Sequence, residues 1–95
     1  MKQFTYLIQK DFAIHFGPAG RLSMVVKQYP DTSATIQMGE RIADLSRPMK
    51  VATMGLRKGD IVVVTCEGPS EVELLDVLYQ QKLFEAAYLD FLIFS

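Results

Sequence analysis

The segment IVVVTC, residues 61–66, constrains the fold of this chain more than any other because its side chains are apolar on both faces of a strand. A strand of that composition is typical of the interior of a sheet, where neighbouring strands and covering helices exclude water. We therefore expect residues 61–66 to form a central strand, with other strands paired on both of its edges.

The rest of the sequence supplies three further strands. KQFTYLIQ, near the N-terminus, alternates along its length and is rich in β-forming residues, which predicts a first strand. SATIQM and RIADL also alternate, and the turn residues GE stand between them. That arrangement predicts a hairpin formed by the second and third strands.

Three helices are predicted between and after these strands. Residues 16–28 carry apolar side chains at helical spacing, and YPDT ends the pattern. LSRPMKVATMGL predicts a short helix with Ser46 as its N-cap, Pro48 in its first turn and Gly55 at its end. EGPSEVELLDVLYQQKLFEAAYLDF predicts a long last helix, of which residues 86–95 form an apolar C-terminal extension.

The predicted order of elements is β-α-β-β-α-β-α, within a length of 95 residues that suits one domain. No linker, repeat or low-complexity tract divides the chain, so residues 1–95 are treated as a single domain. The fold class expected is α/β (α+β): an open-faced sandwich with a four-stranded antiparallel sheet and three helices on one face.

Charge and composition exclude several classes of function. Ten Lys and Arg balance eleven Asp and Glu, and no basic stripe is visible, which argues against nucleic-acid binding. GPAG matches the GxxG loop of KH domains, but so short a pattern often arises by chance, and no lysines surround it. AAYLDFLIFS is too short to cross a bilayer and contains Asp90, so no membrane insertion is expected.

The single cysteine, Cys66, has no partner for a disulfide, and the N-terminus does not resemble a signal peptide. Both observations favour a cytoplasmic protein. One histidine and one cysteine cannot form a familiar zinc site, and the phosphate-binding motifs GxxxxGK[ST] and GxGxxG are absent. We expect neither a metal nor a cofactor.

The only histidine, His15, directly precedes the predicted first helix and the segment FGPAG. A lone histidine in this position is ordinarily a turn or cap residue. A helix N-terminus nevertheless presents backbone N–H groups and positive partial charge, which stabilise a phosphoryl group carried on an imidazole. His15 is therefore a candidate phosphoryl acceptor.

Over about residues 2–85 the chain resembles HPr, the histidine-containing phosphocarrier of the bacterial phosphotransferase system. The segments that carry the resemblance are AIHFGPAG, GERIADLSRPMKVATMGLRKGDIV and CEGPSEVELLDVL. In the family motif, a histidine is followed by any residue and then by Arg-Pro-Ala; His15, Pro18 and Ala19 match it. The resemblance implies that His15 accepts phosphate from enzyme I and passes it to enzyme II components, as a carrier rather than a stand-alone enzyme.

The phosphate site implied by this resemblance includes the backbone of Phe16, Gly17 and Pro18, but its side chains depart from the family. Gly17 stands where the family has an arginine, and it provides no cation to the phosphoryl oxygens. Phe16 replaces a usually small polar residue. Arg21, four residues beyond Gly17, is on the same helical face and is a candidate replacement.

The resemblance also suggests regulation and further partners. Ser46 corresponds to the serine that a kinase/phosphorylase modifies in some bacteria, so such an enzyme or a transcription regulator is a further candidate partner. The alternative function is a non-catalytic regulatory or interaction module that uses only a docking surface. That surface is predicted to comprise Phe16, Gly20, Met24, Met49, Ala52 and Thr53, and of these Met24 is the one expected to be partly buried.

The tail, residues 86–95, is apolar except for Asp90 and Ser95. Because large exposed apolar patches are rare on soluble monomers, we expect the tail to pack, with a slight preference for a symmetric homodimer.

Overall fold

The computed structural model describes residues 1–12 and 17–86, and these contain a five-stranded antiparallel sheet and three helices. The strands are β1 (Lys2–Ile8), β2 (Ser33–Met38), β3 (Arg41–Asp44), β4 (Ile61–Glu67) and β5 (Phe84–Ala86). The helices are α1 (Gly17–Lys27), α2 (Pro48–Ala52) and α3 (Glu71–Gln80). The predicted order of the first seven elements is confirmed.

The central position predicted for IVVVTC is also confirmed. The strand order is β3-β2-β4-β1-β5, so β4 pairs with β2 on one edge and with β1 on the other. Val62, Val64 and Cys66 alternate along β4 and are buried in the same core as Leu74 and Leu78 of α3.

The end of the last helix differs from the prediction. α3 ends at Gln80, and Lys82 adopts a positive φ of 63°, a left-handed conformation usually taken by glycine after a helix. Leu83 and Phe84 are then buried, and β5 pairs with β1 as a fifth strand. The predicted helical continuation is therefore wrong at residues 81–86, and residues 87–95 lie outside the described part of the chain.

The N-cap predicted at Ser46 is wrong as well. α2 begins at Pro48, and Arg47 is its N-cap, with no hydrogen bond from its side chain. Ser46 instead donates to Asp44, through its Oγ at 2.7 Å and its backbone N–H at 2.9 Å, both to Oδ1. The carboxylate thus forms a local turn with Ser46, and the serine hydroxyl is used one residue before the helix cap.

Two buried titratable groups, Cys66 and Tyr6, make the stability of the fold vary with pH in the alkaline range. Burial raises the pKa of the Cys66 thiol from 9.0 to about 11, and it raises the pKa of Tyr6 from 10.0 to about 12. The folded chain therefore retains two protons that the unfolded chain releases as the pH rises. Their contribution to stability is full below pH 9 and is lost as the pH rises through the two folded pKa values.

We expect the free energy of unfolding to fall progressively between about pH 9 and pH 12. Urea titrations at a series of pH values measure it. In the Cys66→Ala variant, which lacks the thiol, the decline should begin only above about pH 10, where Tyr6 starts to titrate in the unfolded chain. An unchanged onset in that variant would show that Cys66 does not contribute to the pH dependence.

Candidate functional site

A surface cavity lies at the first turn of α1, with a volume of about 360 Å³. It is lined by Lys10, Asp11, Gly17, Pro18, Arg21, Lys58 and Leu83. His15 and Phe16 lie outside the described residues, but Asp11 precedes them, Gly17 follows them, and both line this cavity. The cavity is therefore the described surface on either side of the histidine segment.

The sequence at the start of α1 explains why the helix begins there. Pro18 stands in the first turn, where its missing N–H and fixed φ are compatible with a helix. Pro18 and Ala19 are buried, which attaches this end of α1 to the domain, whereas Gly17 is exposed. The first turn contains no acidic residue, so no carboxylate there offsets the positive end of the helix dipole.

Three of the residues that line the cavity are cations: Lys10, Arg21 and Lys58. The only carboxylate among the lining residues is Asp11, whose Oδ1 accepts a hydrogen bond of 2.7 Å from the backbone N–H of Lys58. This bond ties the segment after β1 to the loop before β4. The cavity consequently combines a helix N-terminus with an excess of positive charge, an arrangement that favours anions.

Arg21, the candidate phosphate partner, is among the residues that line the cavity, and its guanidinium is directed to the end of α3. Its Nη1 donates a long hydrogen bond of 3.4 Å to the backbone carbonyl of Gln81, the C-cap residue of α3. A cation at a helix C-terminus is electrostatically favourable. Because this contact is long and exposed, it holds the Arg21 guanidinium only weakly.

Lys10 and Lys58 were missed by the sequence analysis. Lys58 is 43 positions beyond His15 in the sequence, and nothing in the local pattern around RKGD connects it with the histidine. The connection comes from the pairing of β1 with β4, which brings the segments after β1 and before β4 together. Lys10 is only five residues before His15 in the sequence, whereas Lys58 could be connected with the histidine only through that strand pairing.

Comparison with known proteins adds a sequence match that is independent of this geometry. A family model described as the PTS HPr component phosphorylation site matches residues 2–83. The chain belongs to the HPr family. The match covers all elements of this HPr chain up to the end of α3 and includes the whole His15 segment.

Solved structures of HPr proteins have the same fold. The histidine-containing phosphocarrier protein of Mycoplasma is 19% identical, with a TM-score of 0.79 over 90% of this chain and 100% of that one. HPr-C-His from Thermoanaerobacter tengcongensis is 20% identical, with a TM-score of 0.76 over 84% and 89%. HPr from Bacillus anthracis is 16% identical, with a TM-score of 0.72 over 81% and 90%.

The residues predicted as the docking surface of this HPr chain lie on α1, on α2 and at the C-cap of α2, apart from Phe16, which is outside the described residues. Gly20 and Ala52 are half-buried and Thr53 is exposed. Met24 is 69% exposed and Met49 is 62% exposed. The expectation that Met24 is partly buried is wrong, because the apolar face of α1 is formed by Leu22, Val25 and Val26 instead.

Ser46 lies in a different part of the HPr domain from the cationic cavity. Its carbonyl accepts a hydrogen bond of 3.0 Å from Oγ of the buried Ser23, which joins α1 to the segment before α2. Ser46 lines a second cavity, of about 600 Å³, together with the carboxylates of Asp31, Asp44 and Glu67. A phosphoryl group on Ser46 would face this negative charge.

Neither a metal site nor a membrane span is found in the part of the chain that the structure describes. No group of three or more His, Cys, Asp or Glu side chains within residues 1–12 and 17–86 is arranged to hold a metal ion. Over the same residues, no helix has the length and hydrophobicity needed to cross a membrane.

Proposed function

We propose that this chain is a phosphocarrier of the phosphotransferase system, which accepts a phosphoryl group on His15 from enzyme I and passes it to enzyme II components in cytoplasmic sugar phosphorylation. The observation that carries the proposal is the cationic cavity at the first turn of α1, lined by residues on both sides of the His15 segment. Membership of the HPr family supports the same role.

The transfer conserves the phosphoryl group. A nitrogen of the His15 imidazole attacks the phosphorus of phosphorylated enzyme I, and a new N–P bond forms as the bond to enzyme I breaks. In the second transfer, an enzyme II nucleophile attacks the same phosphorus, and the imidazole is the leaving group. The chain regains its original form after each cycle and needs no cofactor.

The cationic cavity would stabilise the added charge of phosphorylated His15. Arginine binds phosphoryl oxygens with two parallel hydrogen bonds, and Gly17 cannot do so. Lys10, Arg21 and Lys58 would replace that interaction with more diffuse attraction from three exposed side chains. We therefore infer that phosphoryl transfer proceeds, but more slowly than in a chain with the family arginine.

Incubation with enzyme I and phosphoenolpyruvate tests this proposal. Intact-mass analysis should show the gain of one phosphoryl group, which is lost in acid and stable in base, as expected for a phosphoramidate. The His15→Ala variant should gain no phosphoryl group. The same result is expected for His15→Asn, a variant closer to histidine in polarity and size. Absence of the modification at high enzyme I concentration would contradict the carrier function.

Removing the Arg21 side chain with Arg21→Ala should slow phosphorylation of His15 about fivefold, the effect of losing about 1 kcal/mol of charge interaction at an exposed site. Lys27→Ala is the matched control, because Lys27 is an exposed cation at the other end of α1 and is not among the residues that line this cavity. Initial rates at one enzyme I concentration provide the comparison. Equal slowing by both variants would assign the effect to net charge.

The second candidate function is a regulatory or interaction module that has lost efficient phosphoryl transfer. Gly17 favours this function, because the arginine of the family motif is missing at this position. Met24 and Met49 also favour it, because they are exposed on α1 and α2. A partner such as a transcription regulator would then bind the docking surface without transfer. Modification of Ser46 by a kinase remains a prediction, and the carboxylate environment of Ser46 opposes it.

A further inference from the structure

An apolar groove lies between β1 and α3, on a part of the domain that the proposed phosphoryl transfer does not use. Its volume is about 510 Å³, and it is lined by Lys2, Phe4, Tyr6, Val72, Leu75, Asp76 and Tyr79. The Phe4 and Tyr6 rings stack at 5.0 Å between centroids, and Tyr6 stacks on Tyr79 at 5.5 Å. Phe4, Val72 and Tyr79 are exposed, so the groove presents apolar surface to solvent.

The edge of β1 beside this groove lacks a strand partner among the described residues. β5 pairs with residues 6–8 of β1 only, and residues 2–5 pair with β4 on their other edge. An edge strand presents unpaired backbone N–H and C=O groups, which are a template for pairing with a further strand. A groove of aromatic side chains beside such an edge is the arrangement used to bind an extended segment, with alternate side chains in the groove.

We propose that residues 87–90 of the same chain continue β5 along β1 and fill this groove. Ala86 already pairs with Tyr6, so the next residues would need no intervening loop to reach the edge of β1. Nine residues follow Ala86, more than the four needed to pair with residues 2–5. Because the segment is attached at Ala86, its effective concentration at the groove far exceeds that of a second copy.

The register of β5 determines which side chains would enter the groove. Ile8 pairs with Phe84 and Tyr6 with Ala86, so the same register places Tyr88 opposite Phe4 and Asp90 opposite Lys2. Side chains two residues apart share a face of a strand, and Tyr6, Ile8 and Phe84 are all buried on the helix face. Tyr88 would therefore join the stacked aromatic rings, and Asp90 would lie across from the ammonium group of Lys2.

A Tyr88→Trp variant of the full chain tests the proposal. The sequence contains no tryptophan, so all the tryptophan fluorescence of the variant comes from residue 88. We expect a blue-shifted emission and several-fold weaker quenching by acrylamide than for a solvated indole. Adding Val72→Lys should shift the emission to the red and increase quenching. The control is Ile42→Lys, at a residue that is 61% exposed, as against 62% for Val72, but lies on β3 at the opposite edge of the sheet.

Charge reversal supplies a second readout in the Tyr88→Trp background. Lys2→Glu should increase quenching, because it places like charges opposite each other, and adding Asp90→Lys should restore the original quenching. A solvated tryptophan in the starting variant, or equal effects of Val72→Lys and Ile42→Lys, would overturn the proposal. So would protection that appears only as the protein concentration rises and a dimer sediments, since the occupant would then be a second copy.

Discussion

Replacing Gly17 by arginine should speed phosphoryl transfer from enzyme I to this chain by about 30- to 1,000-fold, equivalent to about 2–4 kcal/mol in the transition state. Gly17 is exposed at the start of α1 and lines the cationic cavity. An arginine would add two directed hydrogen bonds to the phosphoryl oxygens, where the wild-type cavity has the cations Lys10, Arg21 and Lys58. Single-turnover rates with phosphorylated enzyme I measure the gain.

The matched control for this prediction is Gln28→Arg, which adds the same charge at an exposed residue just beyond the other end of α1. Arg21→Ala should also slow the wild type more than it slows the Gly17→Arg variant, because the new arginine would take over its role. Equal slowing in both backgrounds would remove Arg21 from the mechanism. Equal acceleration by Gly17→Arg and Gln28→Arg would mean that overall charge, and not the missing fork, limits the rate.

Gly68→Ala should lower the free energy of unfolding by about 2–5 kcal/mol, the combined cost of a disfavoured backbone conformation and an overpacked contact. Gly68 has a φ of +145°, and a Cβ atom there would lie 2.6 Å from the carbonyl oxygen of Asp31 and 2.7 Å from Cα of Thr32. Both are backbone atoms, so a rotamer change cannot relieve the contact. Urea denaturation of the variant measures the loss.

The close approach of Gly68 to Thr32 accompanies a hydrogen bond at the start of α3. Ser70 is the N-cap residue but makes no side-chain cap hydrogen bond; instead its backbone N–H donates to Oγ1 of the buried Thr32 at 3.0 Å. The control is Gly55→Ala, since Gly55 has a φ of +69° but no atom within 4 Å of the position that a Cβ would occupy. It should cost only the conformational part, about 1–2 kcal/mol. Equal losses in the two variants would exclude the steric contribution at Gly68.

Features set by local pattern could be predicted from the sequence, and the central strand IVVVTC and the hairpin around Gly39 are examples. The end of α3 could not, because QQK contains neither glycine nor proline and its stop depends on a left-handed Lys82. Leu83 and Phe84 also satisfy either a helical or a strand interpretation. Only pairing with β1 selects the strand.

The residues of the candidate site also fall into those that the local sequence could identify and those that only the tertiary structure could. His15, Pro18 and Ala19 are close in sequence, so a motif could identify them. The charge around the cavity depends on tertiary structure, because Lys58 is held beside Asp11 by a hydrogen bond between two distant loops. Ser46 shows the opposite problem: the local pattern predicted it as the N-cap of α2, but its hydroxyl donates to the neighbouring Asp44 and the cap is Arg47.

Onward transfer from His15 is the most direct test of the carrier function. The chain is phosphorylated with enzyme I and labelled phosphoenolpyruvate, separated from both, and then mixed with enzyme II components and sugar. We expect the label to leave this chain and appear on enzyme II and then on the sugar, with no transfer from a sample prepared with the His15→Ala variant. Label that never enters the wild-type chain, or that remains on it when enzyme II is present, would contradict the proposed function.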